Sequence, residues 1–244
     1  RKIVIISDLH DCTFGKNNIR LHEEIDKINP KLIIIAGDIV NNKTKAHNKN
    51  AKKFILDLKE KYDIIYCDGN HEQGFFSNKK GGIDEDFFTE FYDIQPHNNL
   101  VHLVNDNMTI GNIRFYGLDT LRAYYRRVKR PEFNVDYLKS VIGETDGNYY
   151  NILIAHNPVY FEDYAAWGAD LVISGHLHGG FVRLPFIGGV ISPQLQLFPK
   201  YSGGKYKYKE SILLLSRGLG AHTLKFRINN LPELIAVSAV KEDN

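Results

Sequence analysis

The chain has 244 residues, 43% of them hydrophobic and 25% charged, with a net charge of +2. That balance excludes a disordered polymer, a strongly basic nucleic-acid binder and, with only Cys12 and Cys67, a disulfide scaffold. The length suits one large α/β domain, and no apolar run approaches the roughly 18 residues of a membrane span.

Arg1-Lys2 leads at once into Ile3-Val4-Ile5-Ile6, so the expectation is a trimmed or processed start, behind which a signal or anchor would be hidden. Residues 2–7 read as a strand buried on both faces, being continuous, apolar and β-branched. Helical spacing covers 19–28 and stops at Asn29-Pro30. A second buried strand, 32–36, ends in Gly37-Asp38. The 45–61 segment reads as a polar-faced helix with Phe54, Ile55 and Leu58 inward. A third strand, 63–67, ends in Asp68-Gly69-Asn70-His71. This repeated βα pattern releases polar residues at carboxyl ends of strands, where sites form in parallel sheets.

A helix is predicted over 83–92. Residues 100–104, 108–110 and 113–116 read as a meander with a hairpin at Gly111-Asn112. A helix follows over 135–142, a strand over 152–155 ending at His156, a helix over 159–167, and a strand over 171–173. Next comes Ser174-Gly175-His176-Leu177-His178-Gly179-Gly180. The last third reads as antiparallel strands at 212–216, 223–228 and 234–240. With no repeat and no linker, the expected architecture is a single domain, 1–244, of class α/β built on two sheets.

Five blocks carry candidate ligands: Asp8-Leu9-His10, Gly37-Asp38, Gly69-Asn70-His71-Glu72, His156 and His176-Leu177-His178. Each alone reads readily as a strand-end cap, a turn residue or a loop histidine. Asp and His ending five strand-like runs together point to a metal site. Oxygen and imidazole donors without thiolates suit Mn²⁺, Zn²⁺, Fe or Mg²⁺. Asp8, Asp38, Asn70, His10, His156, His176 and His178 make seven donors. That is too many for one ion with an open position, and enough for two ions if one carboxylate bridges them. Two ions about 3.5–4 Å apart activate a water and clamp the oxygens of an in-line phosphoryl displacement.

In order and spacing these blocks resemble the signature of the calcineurin-like metallophosphoesterases, from residue 3 to about 240. The resemblance implies a layered α-β-β-α sandwich, two mixed sheets flanked by helices. It implies that Asp8, His10 and His178 hold one divalent ion, that Asn70, His156 and His176 hold the other, and that Asp38 bridges. Mn²⁺ is the first choice of ion. His71 matches the family's catalytic histidine, a non-ligand imidazole at the rim that hydrogen-bonds a phosphate oxygen and protonates the leaving alkoxide. Asp38 and Asn70 join it as catalytic residues, holding the ions together and placing substrate. Glu72 fits the pattern as an orienting acid, not a ligand. The implied reaction is attack of a metal-bridging hydroxide in line on phosphorus.

A narrower resemblance rests on His178-Gly179-Gly180, Arg183-Leu184-Pro185-Phe186, Phe198-Pro199-Lys200-Tyr201, Ser216-Arg217-Gly218-Leu219-Gly220 and Asn230-x-Pro232-Glu233. These resemble a bacterial, often membrane-anchored branch that includes hydrolases of lipid-linked sugar pyrophosphates. The implied substrate is a phosphodiester or pyrophosphate in a small phosphate ester or a lipid-linked, cell-envelope molecule. The implied location is membrane-associated or extracytoplasmic, with cytoplasmic as the alternative. A membrane surface is a possible partner, and neither nucleic acid nor an obligate protein partner is expected. The rivals are a nucleotide or cyclic-nucleotide phosphodiesterase and a non-catalytic scaffold; a scaffold would have lost ligands, and all are present.

Residues 122–130 pack five cations and two tyrosines. Tyr124, Arg126 and Arg127 are candidate contacts for an anionic head group or a nucleotide, against the plainer reading of a solvated face. Arg217 is a further candidate phosphate contact, against a surface ion pair. The apolar 181–198 segment is either an exposed lip that meets acyl chains or a cover folded back on the core.

Overall fold

Short runs of Ile, Val and Leu without polar interruption make strands that can be buried on both faces, and the two sheets are built from such runs. The computed structural model describes residues 2–42, 48–77, 99–126, 128–184, 187–192, 197–220 and 227–238. In the first sheet β1 (Lys2–Ile6), β2 (Leu32–Ala36), β3 (Asp63–Cys67) and β4 (Leu100–His102) run parallel. The second sheet contains β5 (Asp106–Ile110), β6 (Ile113–Leu118), β7 (Tyr150–Ala155) and β8 (Leu171–Ser174). A two-stranded ribbon follows, β9 (Val182–Leu184) with β10 (Gly188–Ile191). Then β11 (Gly204–Tyr208) and β12 (Ser211–Leu215) complete the second sheet in the order β11-β12-β8-β7-β6-β5. Its inner four strands are parallel and its two edges antiparallel. The last strand, β13 (Ile235–Ser238), closes the first sheet antiparallel to β1.

Side-chain alternation along these strands sorts the core into layers. Ile5, Ile34 and Ile65 of the first sheet meet Phe115, Ile152, Ile154 and Ile173 of the second in one buried cluster, so the sheets pack face to face. On the outer face of the first sheet, Val4, Ile6, Ile33 and Ile35 pack with Leu21 and Ile25 of α1 (Ile19–Ile28) and Phe54 and Leu58 of α2 (Lys49–Lys59). After α3 (Asn70–Ser77), helices α4 (Val135–Ile142) and α5 (Phe161–Trp167) cover the other side, where Leu138, Ile142, Phe161 and Tyr164 meet Leu153, Ala155, Leu213 and Leu215. The α-β-β-α sandwich with mixed sheets is what the resemblance implied.

Several expectations are corrected. The helix expected from residue 45 starts at Lys49, behind Asn48 at a φ of 48°. The helix expected from residue 159 opens as a 3₁₀ turn, Pro158–Tyr160, and becomes α-helical at Phe161. Strand β12 is antiparallel only to β11. Its other edge pairs parallel with β8, because the hairpin from β11 reverses the chain before β12 begins. Helix 83–92 and most of the strand expected over 223–228 lie outside the described residues, although Ile228 bridges Val182. Among the described residues no helix is long and apolar enough to cross a membrane.

Candidate metal centre

Every candidate ligand emerges just past the carboxyl end of a parallel strand. Asp8 and His10 follow β1, Asp38 follows β2, Asn70 opens α3 after β3, His156 follows β7, and His176 and His178 follow β8. Five of the seven stand in left-handed backbone: Asp8 at φ 54°, His10 at 51°, Asp38 at 57°, His176 at 75° and His178 at 49°. Such conformations cost about 1–3 kcal/mol each and persist where surroundings over-determine them. Here the loops clasp one another: Asp8 N donates to Gly37 O and His10 N to Asp38 O, both at 3.0 Å, and Gly175 N donates to His156 O at 3.1 Å. Two glycines make that clasp possible. A Cβ on Gly37 (φ 83°) would lie 2.6 Å from Gly69 N, and one on Gly175 would lie 2.4 Å from Asp8 Oδ2.

The clasp brings the sequence-predicted residues together. Asp8, His10 and His178 form one group with ligand atoms within 4.8 Å of one another; Asp38, His156 and His176 form a second, and His10, Asp38 and His71 a third. Asp38 Oδ2 lies 3.0 Å from His156 Nε2 and 3.8 Å from His10 Nε2. Asp8 Oδ1 lies 3.4 Å from His178 Nε2 and 3.8 Å from His156 Nε2. His10 Nε2 and His178 Nε2 face each other at 3.1 Å.

The donor set fits divalent cations on three observations. His156 Nδ1 is 2.6 Å from Ala36 O and His178 Nδ1 is 3.3 Å from Gly220 O. Each carbonyl takes the Nδ1–H, so each Nε2 keeps its lone pair toward the cluster, as a ligand requires. Asn70 Oδ1 is buried without a hydrogen-bond partner among the described residues, which is costly unless something positive meets it. The carboxylates also demand positive charge. Burial disfavours an imidazolium at His156, but Asp38 and Asp8 outweigh it and push His156 up to about 10. Burial would likewise raise Asp38, yet His156, His71 and His10 hold its carboxyl well below the usual range. Burial lowers His176 and His178, which favours the neutral ligand form.

His71 is placed differently from the rim position expected of it. It is 3% exposed and its ring centroid is 4.4 Å from that of His10. Asn42 N donates to His71 Nδ1 at 3.3 Å, so the proton of the neutral ring sits on Nε2. Burial lowers its pKa and keeps it neutral. Its backbone N donates to Asp38 Oδ1 at 2.8 Å, fixing the carboxylate that faces the histidines. Glu72 lies outside all three ligand groups and accepts from Asp38 N (2.8 Å), Ile39 N (2.8 Å), Val40 N (3.3 Å), Gly69 N (2.9 Å) and Tyr66 Oη (2.7 Å). One buried carboxylate thus ties the Asp38 loop to the Asn70 loop. Burial and the carboxylates of Asp38 and Asp68 push it up to about 7.

The substrate-contact expectations fare less well. Tyr124 is buried against Phe133, Tyr137 and Tyr160 and belongs to the core. Its neighbour Tyr125 faces the site instead, with its ring 5.0 Å from His176 and 6.2 Å from His156. The two stand in a short 3₁₀ turn, Arg122–Tyr125, in which adjacent side chains diverge. Arg126 is exposed, and Arg127 lies outside the described residues. Arg217 donates through Nε (3.0 Å) and Nη2 (2.8 Å) to Glu233 Oε1, the ion-pair alternative. Sequence reasoning named Tyr125 only as one of the two tyrosines of the 122–130 segment and gave no role to Asn42 or to Asn230, whose Nδ2 donates to His178 O at 2.6 Å and Gly180 O at 2.7 Å. Asn230 stood inside a quoted motif, which was the available signal.

A family model described as calcineurin-like phosphoesterase matches residues 1–180. Relatives include an uncharacterized metallophosphoesterase of Campylobacter jejuni, 31% identical over 194 residues, which are 76% of this chain and 46% of the relative; this chain thus spans about half of that relative's length. The phosphodiesterase YaeI of Escherichia coli is 24% identical over 98% of this chain and 82% of its own. The UDP-2,3-diacylglucosamine pyrophosphatase LpxG of Chlamydia muridarum is 23% identical over 99% of this chain and 84% of its own. Among solved structures, a dimetal phosphatase from Danio rerio shares the fold with a TM-score of 0.50, covering 89% of this chain and 87% of that one at 12% identity.

Proposed function

The chain belongs to the calcineurin-like phosphoesterase family, and from that premise we propose that it hydrolyses a phosphodiester or pyrophosphate bond in a lipid-linked or cell-envelope molecule, using two divalent ions. The observation that carries this reading is the convergence of donors from both sheets at one set of strand ends. Asp8, His10 and His178 would hold one ion, Asn70, His156 and His176 the other, and Asp38 would bridge. When bound, such a pair supplies an activated water and neutralises charge on the phosphoryl oxygens. Mn²⁺ is the first ion to test, since an oxygen and imidazole set also accepts Zn²⁺, Fe or Mg²⁺.

The protein's own groups divide the remaining work. His71, neutral with its proton on Nε2, donates a hydrogen bond to an oxygen that gains negative charge. Passing on a whole proton requires the doubly protonated ring, which burial disfavours, so the donor role is primary. Glu72 acts at a distance by holding the backbone of residues 38–40 and 69. Two relatives bear on the bond cleaved, one named a phosphodiesterase and one a pyrophosphatase of a diacylated sugar nucleotide. A membrane-associated or extracytoplasmic location goes with that lipid-linked substrate.

The test compares bis-p-nitrophenyl phosphate with p-nitrophenyl phosphate, using protein stripped by chelator and reloaded with Mn²⁺. Metal-dependent diester turnover is expected, falling about 10²–10³-fold in His71→Ala. Preference for the monoester sinks the diester assignment. No turnover with two ions bound by calorimetry sinks the enzyme reading in favour of a scaffold.

A further inference from the structure

Among the described residues of 181–198, Phe181 is buried, but the ribbon that follows it turns apolar side chains to solvent. Strand β9 is bridged on one side by Ile228 and paired on the other with β10, and Leu197 bridges Ile191 of β10. This small sheet carries Leu184, Ile187, Leu197, Phe198 and Ile228, with Leu231 beside it, each between 42% and 76% exposed. The sheet is rooted in the candidate metal centre. Arg183 Nη1 donates to Gly179 O at 3.2 Å, and Asn230 Nδ2 spans His178 O and Gly180 O. Beneath the apolar edge a pocket of about 500 Å³ is lined by Arg183, Leu184, Ile187, Ser202, Tyr206 and Asn229. Among the described residues Arg183 has no carboxylate ion-pair partner, and its other contacts are the carbonyls of Gly179 and Ser202.

Charge selects the occupant. Residues 171–209 carry Arg183, Lys200, Lys205, Lys207 and Lys209 between Asp170 and Glu210; Lys200 pairs with Glu162 and Lys207 with Glu210. Apolar side chains beside Arg183, with Lys205 and Lys209 also lacking a carboxylate ion-pair partner among the described residues, fit a surface with an acyl interior and an anionic face. A water-soluble acidic protein would match the cations and would need an apolar patch of its own to cover the aliphatic side chains. We propose that this apolar edge is a docking surface for an anionic lipid bilayer, which brings a lipid-borne phosphate to the neighbouring metal centre. The inference rests on the lipid-linked reading for its purpose, not for its chemistry, so binding and turnover are read apart.

The experiment is co-sedimentation of the full chain with vesicles of phosphatidylcholine alone and of equal parts phosphatidylcholine and phosphatidylglycerol. Binding to the anionic vesicles is expected, and each of Ile187→Ser and Phe198→Ser should weaken it about tenfold, the scale of one large apolar side chain returned to water. Turnover of bis-p-nitrophenyl phosphate should not change, because neither residue belongs to the metal centre. Leu231→Ser, the most exposed of the six positions, is the third variant, and thermal melting verifies that each is folded. Unaltered vesicle binding in all three variants, or none in the parent, overturns the proposal. So does a dimer in solution that these substitutions dissociate, which would assign the edge to a second copy. Vesicle binding without diester turnover would leave docking in place and remove the proposed function instead.

Discussion

The two sheets feed one cluster but secure their contributions differently. On the first sheet, Asp8 and Asp38 are fully buried, and the loops behind them are tied by a carboxylate, Glu72, that accepts from four backbone N–H groups and the Tyr66 hydroxyl. On the second sheet, the His176–Gly180 turn leans on one carboxylate from the first sheet, Asp8, which accepts from His176 N at 3.0 Å, and otherwise on neutral or peripheral groups. Asn230 holds two carbonyls, Arg183 a third, and Arg227 Nη1 donates to Gly218 O at 3.0 Å. In the first region Asp8, Asp38 and Glu72 are buried, whereas the second runs directly into the exposed apolar edge. The difference teaches that charge is anchored where water is excluded, and that contact with a large substrate falls to the half whose supports are individually weak.

Glu72→Ala is the strongest way to break that contrast. It orphans four backbone donors and a buried hydroxyl, so a loss of about 3–5 kcal/mol is expected, read as a fall in Tm of roughly 10 °C or more. Turnover should vanish with it, because Asp38 and Asn70 lose their common support. Asn230→Ala should cost less, about 1–3 kcal/mol, and should act locally. Calorimetric titration of stripped protein with Mn²⁺ should show one ion weakened by about tenfold, through His178, and the other unchanged. Equal damage from the two substitutions would mean that the second region is as rigidly secured as the first.

Much of this was legible in the chain because it depends on local pattern. Ile3 to Ile6 and Leu32 to Ala36 can hardly be anything but buried strands, and a polar residue straight after such a run must sit at a sheet edge. The supports were less legible for a physical reason. Glu72 works through backbone N–H groups of residues 38–40 and 69, and backbone donors leave no mark in a sequence. Tyr124 and Tyr125 look equivalent as letters, and only the 3₁₀ turn decides which of them enters the core. The apolar 181–198 segment was ambiguous because hydrophobicity alone does not say whether a ribbon turns inward or outward. The bridge from Val182 to Ile228, far along the chain, is what holds β9 at the outer edge.

Asp119 sits at the seam between the two regions, and it offers the smallest and sharpest test. Gln73 of α3 donates from Nε2 to Asp119 Oδ1 and, at 2.8 Å, to Thr120 O, linking the first sheet's loop to the end of β6. Burial, with Asp68 adding to it, pushes the Asp119 carboxyl up to about 6, against the opposing effects of Gln73 and His102. The folded-state pKa therefore lies above the unfolded one, so between about pH 4 and pH 6 the folded chain holds more protons. Stability from this group is complete at the acid end of that window and is lost as pH rises through it. Asn at this position keeps an oxygen for Gln73 and removes the titration. Asp119→Asn should accordingly match the parent near pH 4 and exceed it by about 1–2 kcal/mol at pH 7, measured by denaturant unfolding at both values. A variant less stable at pH 7 would show that the seam needs the charge, and that the two regions are joined by more than the neutral hydrogen bond from Gln73.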